Sequence, residues 1–232
     1  MEILSYEEID SSLHGTSCKV YCIHAKVSKI YECAQEMITT ISDTSWINKL
    51  GPVPKKTFEA TSAKTISKLV NDILSKVVND VTTDFGEYLI SHSAQIALEK
   101  NSHTKFPLAE LLKDRVSGNA GFDFHTESQN QHIMFGEAKY NAASTPKKEA
   151  IEQIERFIRE KKDDAELLIL NNFASETAMS KAVDGKRGYV AAFSLNSTNA
   201  KKVFQDALDL EELKKLLVHQ ELYLIGIECN EN

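Results

Sequence analysis

Ile66, Leu69, Val70, Ile73, Leu74, Val77, Val78 and Val81 recur every three or four positions, a spacing that gathers them on one face of a helix over 62–81. Thr82-Thr83-Asp84 interrupts the pattern, and a second helix is predicted over 85–100. Asp84 would be its N-cap, with Glu87 at the capping-box position three residues on. Upstream, 17–28 mixes β-branched and aromatic residues with partial alternation and predicts a strand. A helix over 31–41 follows, and Gly51-Pro52-Val53-Pro54 then punctuates the chain. That punctuation divides it into an N-terminal extension, 1–55, with a strand and a helix, and a main domain, 56–232.

The second half alternates between the two periods. Residues 118–127 and 132–140 read as strands joined by the polar turn Ser128-Gln129-Asn130-Gln131. A helix starts at Thr145-Pro146, where proline suits the first helical position, and runs through Ile151, Ile154, Phe157 and Ile158. Beyond it the pattern predicts a short apolar strand over 165–170 and a helix over 175–184 closed by Gly185. A buried strand over 189–195, a helix over 200–217 and a last strand over 222–227 complete it. Strands alternating with helices predict an α/β sandwich.

Composition adds little: 42% hydrophobic and 26% charged residues are ordinary for a soluble globular protein of 232 residues. No apolar run is long enough to cross a bilayer, and acids stand where a signal peptide would carry basic charge, so a cytoplasmic protein is expected. The four cysteines (Cys18, Cys22, Cys33, Cys229) are expected to be reduced thiols. His14, Cys18, Cys22 and His24 fit no usual zinc spacing, and small thiols are commonly buried in strands, so zinc is set aside. The net charge of −7 matters more. Phosphate neutralisation by Lys and Arg supplies most non-specific nucleic-acid affinity. A chain this acidic would hold nucleic acid weakly, or borrow its grip from a partner.

Candidate chemistry lies in the central hairpin. Glu137 and Lys139 stand two apart on a strand and so share a face. Asp123, fourteen positions before Glu137, lies on the neighbouring strand, where its carboxylate can approach that of Glu137. Two close carboxylates repel, and a divalent cation resolves the conflict. Magnesium takes oxygen ligands, keeps several waters and is usually held by one or two carboxylates plus substrate phosphate. A neighbouring ammonium can stabilise charge on phosphorus or steady the attacking water. Gly136 and Ala138 fall on the opposite face, where small residues permit close packing. A Glu-x-Lys on a strand is usually a solvated face. Here it follows the apolar run Ile133-Met134-Phe135, a setting too buried for idle charges.

Gly121-Phe122-Asp123 and Glu137-Ala138-Lys139, separated by a hairpin, resemble the PD-(D/E)xK nuclease superfamily, over roughly residues 82–170. Phe122 stands where the name of the superfamily has proline. The resemblance implies a restriction-endonuclease-like mixed sheet flanked by helices, with Mg²⁺ (or Mn²⁺ as substitute) held by Asp123 and Glu137. It also implies a water attacking the phosphodiester to leave 5′-phosphate and 3′-hydroxyl ends. Glu87, in Asp84-Phe85-Gly86-Glu87, matches the acid that many members place on the helix before the sheet, where it can join the metal; the same residue can instead only close a capping box. Gln153 with Phe157 resembles the Gln-x-x-x-Tyr helix of the RecB-like branch, without the tyrosine hydroxyl. That glutamine can orient water or the lysine, or can be a surface helix residue. Lys147 and Lys148 can meet phosphate or be solvated, and His125 and His132 are assigned no role.

The layout also resembles the nuclease subunits of bacterial antiphage systems of the Hachiman type. That resemblance implies DNA as substrate and a larger helicase-like partner. Residues 1–55 are then a candidate docking surface, the alternative being that they complete the sheet or cover an edge strand. A different class of reading is a nuclease-like subunit without chemistry, serving as a DNA-docking or assembly module.

Overall fold

The computed structural model describes residues 1–10, 15–76, 83–112 and 121–229, with the side chains of 72–76, 83 and 84 left aside. The chain is α/β, built on a seven-stranded mixed sheet in the order β1-β2-β7-β6-β5-β4-β3. Its centre is parallel: β2 (Lys19–Val27), β7 (Glu221–Cys229), β6 (Gly188–Ser194) and β5 (Ile133–Lys139). β4 (Phe124–Glu127) and β3 (Thr104–Lys105) add antiparallel strands at one side, and β1 (Glu2–Ile9) adds one at the other. Parallel strands covered on both faces read as continuous apolar runs. β6 fits that rule, since all its residues are buried.

Two apolar clusters alternate along every central strand and so lie on opposite faces of the sheet. One joins Ile133 and Phe135 of β5 to Ile151, Ile154 and Phe157 of α5 (Lys147–Arg159). Phe204 of α8 (Ala200–Leu208) and Leu213 of α9 (Glu211–Leu216) belong to the same cluster. The other joins Met134 and Ala138 of β5 to Met37 of α1 (Ile30–Ser42) and to Phe85, Leu89 and Ile90 of α3 (Thr83–Lys100). Glu137 and Lys139, in step with Phe135, therefore lie on the α5 side.

The N-terminal strands belong to this same sheet, since β2 pairs with β7 along its whole length. Position 55 falls inside α2 (Pro52–Lys76), which begins at its proline and starts ten residues before the expected helix. The end of that expected helix at Val77, Val78 and Val81 lies outside the described residues, as do His14 and the start of the expected strand at 118–120. β1, β3 and α4 (Ala109–Leu112) were not anticipated.

Four local expectations are corrected. The expected strand over 165–170 is helical, part of α6 (Lys162–Leu170). Its buried residues are Asp163, Glu166 and Leu170, at helical spacing, while Leu168 is 84% exposed. Two buried carboxylates, each with a distant partner, define the inner face, and a reading based on apolar periodicity cannot see them. The expected helix over 200–217 divides into α8 and α9 at Leu210, which takes an extended conformation (φ −66°, ψ 133°). α3 begins at Thr83, which places Asp84 within its first turn and not at its N-cap. Pro146 is itself the N-cap of α5. By contrast, α7 (Glu176–Val183) is framed as expected, with the Ser175 hydroxyl accepting from Ala178 N and Gly185 following at φ +77°.

All four cysteines are free thiols. Burial pushes the Cys18 and Cys22 thiols up to about 12, and His24 Nε2 lies 2.8 Å from Glu228 Oε1, so these residues serve packing and pairing. Among the described residues, no helix is long and apolar enough to cross a membrane.

Candidate active site

The β4–β5 register runs as far as Phe124 opposite Gly136, and Asp123 is the residue immediately before that pair. Backbone bonding there is one residue out of step with the ladder: Asp123 N donates to Gly136 O at 2.9 Å, so Asp123 sits at Gly136 beside Phe124 and next to Glu137. The Asp123 side chain is held as well, because its Oδ2 accepts from Ala138 N at 2.8 Å. The glycine is a steric requirement. A Cβ at position 136 would fall 2.3 Å from the Phe124 ring, which packs flat over that backbone.

Glu137 is completely buried. Its Oε1 accepts from Lys139 Nζ at 2.7 Å, and the same ammonium reaches Glu87 Oε1 at 3.4 Å. Glu87 arrives from α3 through a close contact one residue away, since a Cβ at Gly86 would lie 2.1 Å from Tyr140 Cγ. Tyr140 follows Lys139 directly, so this fit delivers the start of α3 to the end of β5. The structure thus brings together Asp123, Glu137, Lys139 and Glu87. Gln153 is half-buried on α5, the helix that packs on β5, and no hydrogen bond joins it to the four. Phe157 packs edge-on against Phe122, with centroids 5.2 Å apart, and is a core residue. Lys148 is exposed and ion-paired with Glu152 and Glu212.

Burial drives the Glu137 carboxyl well above the ordinary glutamate range, and the nearby Asp123 charge raises it further, with Lys139 opposing. Burial pulls Lys139 toward its neutral form. The carboxylates of Glu137, Asp123 and Glu87 outweigh that, so its pKa is raised and the ammonium persists. The second oxygen of Glu137, Oε2, is buried with no hydrogen-bond partner among the described residues. A bare, buried carboxylate oxygen is a costly state that a hard cation would relieve. Asp123 and Glu137 offer the one or two carboxylates that magnesium usually takes from protein, and in that sense these residues fit the ion. Among the described residues there is no group of three or more His, Cys, Asp or Glu side chains that could hold a metal by themselves.

Two predictions arise here. Between the ordinary glutamate range and the raised value of Glu137, the folded chain keeps a proton that the unfolded chain has released. Stability without metal therefore falls as pH rises through that interval. Asp123→Asn removes one of the three causes that raise Glu137, leaving burial and the Glu87 charge, while keeping an oxygen for Ala138 N, so this loss should be smaller in the variant. Thermal unfolding in EDTA from about pH 5 to about pH 8 reads it. Identical pH dependence in variant and wild type would mean that the two carboxyls do not interact. Gly86→Ala, in turn, should cost about 1–3 kcal/mol by forcing Tyr140 away from α3. Thermal unfolding checks that cost, and an unchanged midpoint would show that the contact yields easily.

Sequence reasoning missed two supporting side chains. Glu166, buried on α6, accepts from Phe122 N at 3.1 Å and from His125 Nε2 at 2.6 Å. It grips the backbone immediately before Asp123, and His125, which had no assigned role, completes that grip. The only signal was one acid inside the apolar run at 165–170. His132, at the far end of the hairpin, bonds Glu221 Oε1 at 2.5 Å and is structural. No protein-family model, no curated protein and no solved structure matches the chain.

Proposed function

We propose that this chain is a metal-dependent nuclease that hydrolyses phosphodiester bonds, with Asp123 and Glu137 holding Mg²⁺ and Lys139 facing the reacting phosphate. The observation that carries the reading is the buried Glu137 carboxylate, with one oxygen on Lys139 and the other bare, beside a second carboxylate fixed by backbone bonding. A solvated Glu-x-Lys pair would have no reason to be buried in this way. The resemblance to the PD-(D/E)xK superfamily supports the same reading. A mixed sheet with helices on both faces is the architecture that resemblance implies.

When bound, Mg²⁺ supplies Lewis-acid stabilisation of phosphate charge and eases deprotonation of a water. The protein does the rest. Asp123 is held rigid by Ala138 N and, through Phe122, by Glu166. Lys139 is kept protonated by its ring of carboxylates and presents that charge where negative charge develops. Glu87 positions Lys139, a role that sits beside the metal-ligand reading of the same residue; the capping reading falls with Asp84 inside α3. Gln153, on the helix covering the same face, orients the attacking water or the lysine.

DNA is the proposed substrate, and a larger helicase-like protein is the proposed partner, as in the antiphage systems that the chain resembles. The net charge of −7 supports a borrowed grip, as do surface lysines neutralised by adjacent acids, such as Lys202 with Asp206 and Lys214 with Glu211. The test is incubation of the purified chain with linear, circular and single-stranded DNA and with RNA, in Mg²⁺, Mn²⁺ or EDTA. Metal-dependent cleavage leaving 5′-phosphate ends is expected. No cleavage of any of these substrates in either metal would overturn the reading.

A further inference from the structure

β1 closes the sheet at one end and pairs only with β2, so its outer edge has no partner strand among the described residues. None of its side chains is buried, and Leu4 and Tyr6 are 43% and 42% exposed. Tyr6 is the outer end of an aromatic ladder. It stacks on Tyr21 at 5.6 Å, Tyr21 stacks on Tyr223 at 4.6 Å, and His103 packs edge-on against Tyr223 at 5.0 Å. The ladder starts in the core and ends on a ring open to solvent. Three exposed acids, Glu2, Glu7 and Glu8, line the same strand.

An open edge is a row of backbone donors and acceptors ready to pair with another chain, and proteins guard such edges with charge and irregularity. Both guards are present here: the acids, and a break in register between Ile3 and Ser5 that leaves 5–9 as the regular stretch. The guards are selective. Pairing with a second copy would bring three carboxylates from each strand, six in all, onto one short ribbon. Nucleic acid and anionic membranes are repelled for the same reason. A strand carrying Lys or Arg meets the opposite situation, with carboxylates at Glu7 and Glu8 and the exposed face of Tyr6 to receive a cation.

We propose that the outer edge of β1 is a docking site for a basic β-strand of a partner protein, captured by strand addition. Backbone bonding supplies the pairing, and the acids with Tyr6 supply the selection for charge. The inference is independent of the catalytic reading, since it needs neither metal nor nucleic acid.

The test uses the full chain in EDTA and a short synthetic peptide alternating arginine and valine. Controls are the matching glutamate–valine peptide and an arginine–valine peptide with a central proline, which cannot pair as a strand. Binding is measured by calorimetry, and its location by amide hydrogen exchange. The arginine–valine peptide should bind and slow exchange along β1, while neither control binds. The double variant Glu7→Lys, Glu8→Lys, substituted at exposed positions and checked for folding by thermal unfolding, should bind about tenfold more weakly or worse. Four results would overturn the proposal: no binding by the basic peptide, binding without β1 protection, binding that survives the charge reversal, or self-association that protects β1 without peptide.

Discussion

Glu137→Gln and Lys139→Ala should each lower the single-turnover cleavage rate by at least about a hundredfold while leaving a folded protein. On the proposed reading Glu137 gives its buried carboxylate to the cation, and glutamine keeps its volume but not its charge. Lys139 contributes a persistent ammonium, and alanine removes it without cutting into either apolar cluster. Gln153→Ala should have a smaller effect, because a neutral side chain can only orient. Rates measured together with unfolding midpoints separate lost chemistry from lost structure. A Glu137 or Lys139 variant that folds and cleaves like wild type would remove that residue from the site.

The second large effect is on stability. Arg187 is almost completely buried and bonds Asp163 Oδ2 and Asp164 Oδ1, each at 2.6 Å, and Ala182 O at 2.8 Å. Tyr189 also donates to Asp163 Oδ2, at 2.8 Å. Arg187→Ala strands the buried Asp163 carboxylate with the tyrosine alone, which should cost about 3–5 kcal/mol. Arg187→Lys should fall between, since an ammonium cannot reproduce the two-pronged contact. Urea unfolding reads both, and a loss under about 1 kcal/mol for the alanine variant would mean that the network contributes little. The consequence reaches the site, because α6 carries Glu166, and Glu166 holds the backbone ahead of Asp123.

The hairpin was legible because its constraints are local. Gly136 and Ala138 are small where Phe124 and the α3 side press in, Glu137 and Lys139 keep strand spacing, and the hairpin brings Asp123 alongside, where Ala138 N holds its carboxylate. What could not be read depends on residues far apart in the chain. α6 passes for a strand because its inner face is made of Asp163 and Glu166, whose partners Arg187 and His125 lie 24 and 41 residues away. The break between α8 and α9 has no glycine or proline to announce it. Glu87 could be placed in order along the chain, but its approach to Lys139 depends on the fit of Gly86 against Tyr140. β1 escaped notice because its exposed acids interrupt the alternation that marks a strand with one buried face.

Calorimetric titration of Mn²⁺ into the metal-free protein, without nucleic acid or partner, tests the proposed metal site at its root. Binding at one site in the wild type is predicted, weakened at least about tenfold in Asp123→Asn and in Glu137→Gln, with a proton released from Glu137 on binding. A wild type that binds no Mn²⁺, or variants that bind it as the wild type does, would contradict the account.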